Sequence, residues 1–300
     1  MGLTSQIRLR PEKPWFGTEG RGFDSRHLHH HPTNTNQPEG PPPLGGPFCC
    51  TRQSPKASEQ HLGAVMATFV LVHGGFHGGW CWAPLVERLE ALGHDTVAPD
   101  MPIDDPAAGF DEYAGAILKA MDEKAEEGGY SRPLIIVGHS LGGHIAPLVA
   151  AQRRCDHLVF LCAVPSELGQ PMGLNSLSVI TEELRNVTYF ADGDGRIMHS
   201  PDSFFRLFYN GLPAEQALAA LRQLRPEGPR TRTDAWPLLE WPDVPRTVVL
   251  ADDDRVLRLD VAQAVVKEVT GKDALVLSGG HSVMMSDPDR LAAVLMGLVA

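Results

Sequence analysis

The chain has 300 residues, 43% of them hydrophobic and 21% charged, and a formal net charge of −11. That apolar share is enough to build a substantial buried core, while the acidic balance argues against nucleic acid or an anionic membrane surface as a partner. The average conceals a division, because residues 1–65 hold 17 of the 55 glycines and prolines and five of the 13 histidines.

Residues 1–65 contain no sustained apolar run and read as a disordered extension, since they bury too little surface to offset chain entropy. Gly22-Phe23-Asp24-Ser25-Arg26 can be encoded by a stretch resembling the T-arm of a transfer RNA gene, and Met66 directly precedes a strand. The reading therefore favours Met66 as the natural start. His27 and His29 to His31 form a cluster without fixed geometry, a poor specific metal site. With seven basic and five acidic residues in this stretch, residues 66–300 carry 19 basic against 32 acidic, a net of −13.

Five cysteines, Cys49, Cys50, Cys81, Cys155 and Cys162, give neither zinc-site spacing nor an even disulfide framework, so they read as reduced thiols of a cytoplasmic protein. No run approaches a membrane span, and the lack of an apolar stretch before Met66 gives no expectation of a signal peptide.

From Met66 onward short apolar runs alternate with helix-length segments. Strands are expected at Thr68 to Val72, Thr96 to Ala98, Leu134 to Val137, His157 to Val164, Thr247 to Leu250 and Ala274 to Leu277. Helices are expected at Trp80 to Leu92, Phe110 to Glu127, Leu141 to Arg153, Asp260 to Val269 and from Asp287 to the end. Apolar strands separated by helices predict the α/β class, with a mostly parallel central sheet covered on both faces. Between the two halves, residues 165–245 break the rhythm, with helical patches at Ser178 to Arg185, Asp202 to Phe208 and Ala214 to Leu224. An insertion of that length predicts a helical cap over the carboxyl edge of the sheet, where open α/β folds bind ligands. Trp236, Trp241, Phe204, Phe205 and Phe208 are candidates for its pocket wall and equally for its own core.

Chemistry concentrates at Gly138-His139-Ser140-Leu141-Gly142, which follows the apolar strand and opens a helix. Gly-x-Ser-x-Gly in this context is a nucleophile elbow: the glycines permit a tight turn that thrusts Ser140 above the sheet at a helix amino terminus. A serine hydroxyl needs a base, and the base an orienting carboxylate. The carboxylate should follow the first strand after the cap, where Asp252, Asp253 and Asp254 stand together; placing Ala251 at the usual glycine position selects Asp254, with Asp253 next. The base should follow the last strand, and His281 is the histidine available there. For the oxyanion, one donor is expected from the N–H of Leu141 and another from the loop His73 to Trp80, with Gly75 favoured over Phe76. His77, Trp80 and His139 are expected to line the substrate pocket. The histidines show no metal-ligand spacing, and neither metal nor organic cofactor is expected.

These residues resemble the α/β-hydrolase superfamily, and within it the esterase branch of plant methylesterases and hydroxynitrile lyases. The likeness spans Met66 to Ala300 and rests on Phe69 to Trp80, the Ser140 elbow, Leu161-Cys162-Ala163 and Gly280-His281-Ser282. It implies the α/β-hydrolase fold, a largely parallel sheet of the eight-strand type lacking its earliest strands, and a helical lid. Lyase members carry lysine after the catalytic histidine; Ser282 here implies hydrolysis. Met101 to Asp105 replaces a Pro-Gly-x-Gly loop of many relatives, so the pocket there is expected to differ. The resulting expectation is a serine esterase acting on small-molecule esters, with a homodimer left open. The alternatives are a thioester or carbon–carbon hydrolase with the same triad, and a catalytically silent binding relative.

Overall fold

The computed structural model describes residues 65–165, 168–169 and 178–299. The expected extension, with its histidine cluster and the Cys49-Cys50 pair, lies outside the described residues. Among these, six strands form one sheet: β1 Thr68–Val72, β2 Asp95–Val97, β3 Leu134–His139, β4 His157–Leu161, β7 Arg246–Ala251 and β8 Leu275–Leu277. Their order is β2-β1-β3-β4-β7-β8 and every pairing is parallel. The chain leaves β1 toward one edge and returns at β3 on its other side, so the carboxyl ends of β1 and β3 flank a topological switch point.

Alternation along the strands assigns the two faces. Val70, Val72, Ile136, Leu158 and Phe160 point into one core layer with Tyr113 and Ile117 of α2 (Phe110–Glu127) and Ile145 and Val149 of α3 (Gly142–Gln152). Phe69, Leu71, Ile135, Val137, Val159 and Leu161 point the other way, onto Leu85 and Leu89 of α1 (Ala83–Ala91) and Leu291 and Leu295 of α7 (Pro288–Met296). Strands apolar on both faces are what a sheet sandwiched between helices requires. Helix α6 (Leu259–Thr270) joins the first layer through Ala262 and Val266.

Two boundaries differ from expectation for local reasons. The helix expected from Trp80 begins as a 3-10 turn, Gly79–Trp82, and becomes α-helical at Ala83, where Pro84 suits the first turn. Strand β4 stops at Leu161 because Cys162 turns to φ 45°, a left-handed backbone that ends the ladder.

Among the described residues between β4 and β7, helices share the segment with strands. It holds α4 (Glu182–Asn186) and α5 (Ala214–Leu221), and also an antiparallel hairpin of β5 (Tyr189–Ala191) and β6 (Ile197–His199). The hairpin turn is closed by Asp192, whose side chain accepts the N–H groups of Asp194 and Arg196, with Gly195 at φ 77°. The helix expected at Asp202 to Phe208 is one turn at Pro201–Ser203 followed by a π-type turn at Phe204–Phe208. Phe204, Leu207, Phe208, Tyr209, Ala217 and Leu221 pack together as a separate apolar cluster above the sheet edge.

Candidate active site

The five loops at the carboxyl edge of β1, β3, β4, β7 and β8 carry the polar groups. At the end of β3 the chain reverses into α3 through Ser140, whose φ is 51°. A Cβ on Gly138 would stand 2.4 Å from the Gly142 carbonyl oxygen, and one on Gly142 would stand 2.3 Å from that of Val72. Backbone therefore occupies the space a side chain would need at both positions, which leaves glycine as the residue that fits. The left-handed serine between them is held by its own N–H, donated to the Leu161 carbonyl at 3.1 Å. Its side chain lines a cavity at the amino terminus of α3, where the helix dipole favours negative charge.

Strand β7 delivers Asp254 and β8 delivers His281. The imidazole Nδ1 lies 2.8 Å from Asp254 Oδ2, and the two side chains are 1% and 2% exposed. The other carboxylate oxygen of Asp254 accepts the N–H groups of Val256 at 2.8 Å and Leu257 at 2.9 Å. With both oxygens engaged, the carboxylate is fixed and its charge compensated although buried. Of the three adjacent aspartates, Asp254 is the one that meets His281. Asp252 instead accepts the Gly279 N–H at 2.9 Å, and Asp253 meets the Asn210 amide at 3.1 Å and Arg255 at 3.5 Å. The His281 Nε2 is buried and makes no hydrogen bond, so it is not yet joined to the Ser140 hydroxyl. Such contacts are commonly loose before substrate arrives.

Histidines shape the loop after β1. His73 Nδ1–H donates to the Gly74 carbonyl at 2.8 Å while its Nε2 accepts the Met101 N–H at 2.9 Å. His77 Nδ1–H donates to the Gly75 carbonyl at 2.7 Å while its Nε2 accepts from the Tyr209 hydroxyl at 3.0 Å. In a trans peptide the carbonyl and the following N–H point in opposite directions, so pinning the carbonyls of Gly74 and Gly75 orients the N–H groups of Gly75 and Phe76. Burial lowers the pKa of His73 to about 4 and of His77 to about 3, keeping both neutral as these bonds require. Gly75, Phe76, His77, Leu141 and Ser140 share the cavity wall.

The profile of the Alpha/beta hydrolase family matches residues 69–294, which covers the sheet, the elbow, and the loops carrying Asp254 and His281. The chain belongs to the alpha/beta hydrolase family. Within it the chain is similar to esterases. It is 29% identical over 262 residues to Esterase PIR7B of Oryza sativa subsp. japonica, covering 76% of this chain and 94% of that one. It is 26% identical to Putative methylesterase 14, chloroplastic, of Arabidopsis thaliana, over 84% of this chain and 77% of that one. Among solved structures, the methylesterase protein MES16 from Arabidopsis superposes with a TM-score of 0.62 at 23% identity, over 78% of this chain and 99% of that one. Polyneuridine aldehyde esterase gives 0.64 at 17% identity, over 78% of this chain and all of that one, a likeness of fold.

In this alpha/beta hydrolase the cavity measures about 770 Å³ and is walled mainly by apolar groups such as Val179, Leu257 and Phe208. Phe208 stands edge-on to His281, with ring centroids 5.7 Å apart. His139 lines it too; its Nε2–H donates to the His281 carbonyl at 3.0 Å, and burial, then the charge of His281, holds its pKa well below the ordinary value. Trp80 does not reach the cavity wall: it stacks behind His77, with ring centroids 5.4 Å apart. Trp236 donates its indole N–H to the His144 carbonyl at 2.8 Å and packs on Trp241 at 5.4 Å; both join the core layer on the α3 face of the sheet and not the pocket wall or the lid cluster.

Three groups stand at the site that spacing alone does not assign to it. Cys162, fully buried at the end of β4, brings its thiol within 4.8 Å of the Asp254 carboxylate; burial first, and then that carboxylate, push its thiol pKa well above the usual range. Arg225 bonds the carbonyls of His77 at 3.0 Å and Met101 at 3.1 Å and the carboxylate of Asp104 at 3.0 Å, tying the lid to the loop after β1 and to the divergent Met101 to Asp105 segment. Glu227, also in the lid, brings a buried carboxyl into the cavity. Among the described residues one group of metal-ligating types is close together, Cys162, Asp254 and His281 within 4.8 Å. No described helix is long and apolar enough to cross a membrane.

Proposed function

We propose that the chain is a serine hydrolase that cleaves carboxylic esters of small molecules through an acyl-enzyme intermediate. The observation that carries this reading is the buried Asp254–His281 pair opening onto the same cavity as the left-handed Ser140. His281 Nε2 takes the proton of Ser140 Oγ as that oxygen attacks the ester carbonyl carbon. Asp254 holds the ring with its proton on Nδ1 and stabilises the imidazolium that forms. The N–H groups of Leu141 and Gly75 receive the oxyanion, each worth about 3 kcal/mol of barrier. His281 passes the proton to the departing alkoxide, then deprotonates a water that releases the acid and regenerates Ser140.

The esterase and methylesterase names of the relatives support the ester as the bond cleaved. The cavity suits one small organic ester with an apolar body. The three cysteines of the described residues are unpaired, which supports a reducing compartment such as the cytoplasm. The test is turnover of a panel of ester, thioester and amide substrates by wild type and by Ser140→Ala. Ester hydrolysis lowered by about six orders of magnitude in the variant supports the reading. Hydrolysis that survives at near wild-type rate sinks it.

A further inference from the structure

Glu227 is anomalous for a pocket residue. Its side chain is buried, at 9% exposure, in an otherwise largely apolar cavity. Its position is rigid: its N–H and carbonyl both bond Ile197 of β6 at 2.8 Å, and the next residue, Gly228, donates its N–H to the Ile103 carbonyl at 2.7 Å. The cation nearest it is Arg232, but that guanidinium spends its good hydrogen bonds on the carbonyls of Gly228 at 2.9 Å and Gly195 at 3.0 Å. It reaches Glu227 Oε1 only at 3.5 Å, the outer limit of a hydrogen bond. The other oxygen, Oε2, lies over the α-carbon of Gly75, where a Cβ would stand 2.1 Å from it.

Among the described residues no protein group donates to Oε2 and the residue lines the cavity, so a ligand bound there can supply the donor that this carboxyl oxygen lacks. Gly75 is the residue whose N–H is assigned to the oxyanion, so a group bonded to Oε2 belongs to the part of the substrate next to its ester carbonyl. We propose that Glu227 is the specificity-determining residue of this site, accepting through Oε2 the hydrogen of a substrate hydroxyl on the carbon next to the ester carbonyl or the one beyond it. This assigns hydroxy esters as the substrate class and rests on the esterase reading above. A hydroxyl fits better than an ammonium group, because Arg232 stands beside the carboxyl and would repel a second cation. Burial also raises the pKa of the Glu227 carboxyl, weakening its pull on cations. His199, on β6, lines the same cavity and is kept neutral, its pKa lowered to about 4 by burial first and then by Arg232.

The test compares kcat/KM for four methyl esters of one skeleton: 3-phenylpropanoate, its 2-hydroxy and 3-hydroxy derivatives, and its 2-amino derivative. Wild type should favour one hydroxy ester over the plain ester by about tenfold or more, in line with what a site built around a hydroxyl discriminates. Glu227→Leu should bring that ratio close to one, and the isosteric Glu227→Gln should lower it at least threefold. Equal rates on plain and hydroxy esters in wild type, a hydroxyl preference unchanged in both variants, or a preference for the ammonium ester would each overturn the assignment. The wild-type ratio decides the matter even where a variant fails to fold. Turnover of none of the four esters removes the esterase reading along with it, whereas uniform turnover of all four removes this assignment alone.

Discussion

His281 and Asp254 meet through a 2.8 Å hydrogen bond between Nδ1 and Oδ2, with both side chains almost wholly withdrawn from solvent. Nothing in the local sequence joins them; they come from loops after different strands, β7 and β8, which are neighbours in the sheet. The second oxygen of Asp254 is already committed to Val256 and Leu257, so the carboxylate serves as a fixed acceptor that selects one tautomer of the imidazole.

Asp254→Asn should lower kcat for ester hydrolysis by about four orders of magnitude, because an amide at this position favours the wrong tautomer while leaving the loop in place. Asp252→Asn and Asp253→Asn should each cost less than about tenfold, since their partners are Gly279, Asn210 and Arg255. Steady-state kinetics on one ester distinguishes the three. A loss at Asp253 as large as that at Asp254 would reassign the acid.

The Cys162 thiol, on a left-handed backbone, lies within 4.8 Å of the Asp254 carboxylate, where it can act as a donor. Cys162→Ser preserves a donor of similar size, and its kcat should stay within a few-fold of wild type. Cys162→Val removes the donor and sets a β-branched side chain at φ 45°, so kcat should fall by about ten- to a hundredfold, the worth of a hydrogen bond to a charged group. Equal kcat in the two variants would show that the thiol does not support the carboxylate.

Burial lowers the pKa of His73 and His144 to about 4 and of His77 to about 3. The unfolded chain therefore binds protons below its ordinary histidine pKa of about 6.5 that the native state refuses. Stability is fully present above that pH and is lost as the pH falls toward about 4, by about 1.4 kcal/mol per histidine per pH unit. The urea midpoint should be level between pH 8 and 7 and drop steeply between pH 6 and 5. A midpoint unchanged from pH 7 to 5 would contradict the buried neutral assignment.

Gly142→Ala places a methyl group against the Val72 carbonyl at 2.3 Å, in backbone that has no side chain to rotate away. The variant should be less stable by about 2 kcal/mol or more, the range for overpacking, and thermal unfolding reads it. Gly115→Ala, in α2 with open space around its α-carbon, should be neutral or stabilising. If the two shift the unfolding temperature alike, the close approach at the elbow is not what reserves Gly142.

The strand–turn–helix at Ser140 was legible because its chemistry is local: two glycines, a serine and an apolar run within one turn. The parallel, doubly covered character of the sheet was legible because apolar residues on both faces mark a sandwiched sheet, whereas the order of its strands was not. The choice among Asp252, Asp253 and Asp254 was weaker, since it depends on which side chain of a tight loop points toward β8. Glu227 was invisible as a site residue because its place there comes from a tertiary neighbour, Gly75, that no spacing rule connects to it, and Cys162 stood out only through the family resemblance. Trp80 misled in the opposite sense: it lies in the right loop but turns behind His77. The lid hairpin did leave a signal, Asp192-Gly193-Asp194-Gly195 between apolar residues, the composition of a tight β-turn.

The most direct measurement is intact-mass and peptide-level spectrometry after exposure of the folded protein to a fluorophosphonate. One adduct located on Ser140, formed quickly in wild type, slowed in His281→Ala and absent in Ser140→Ala, is the predicted result. An adduct that persists in Ser140→Ala, or a wild type that hydrolyses esters yet takes up no label, would contradict a serine nucleophile at the end of β3.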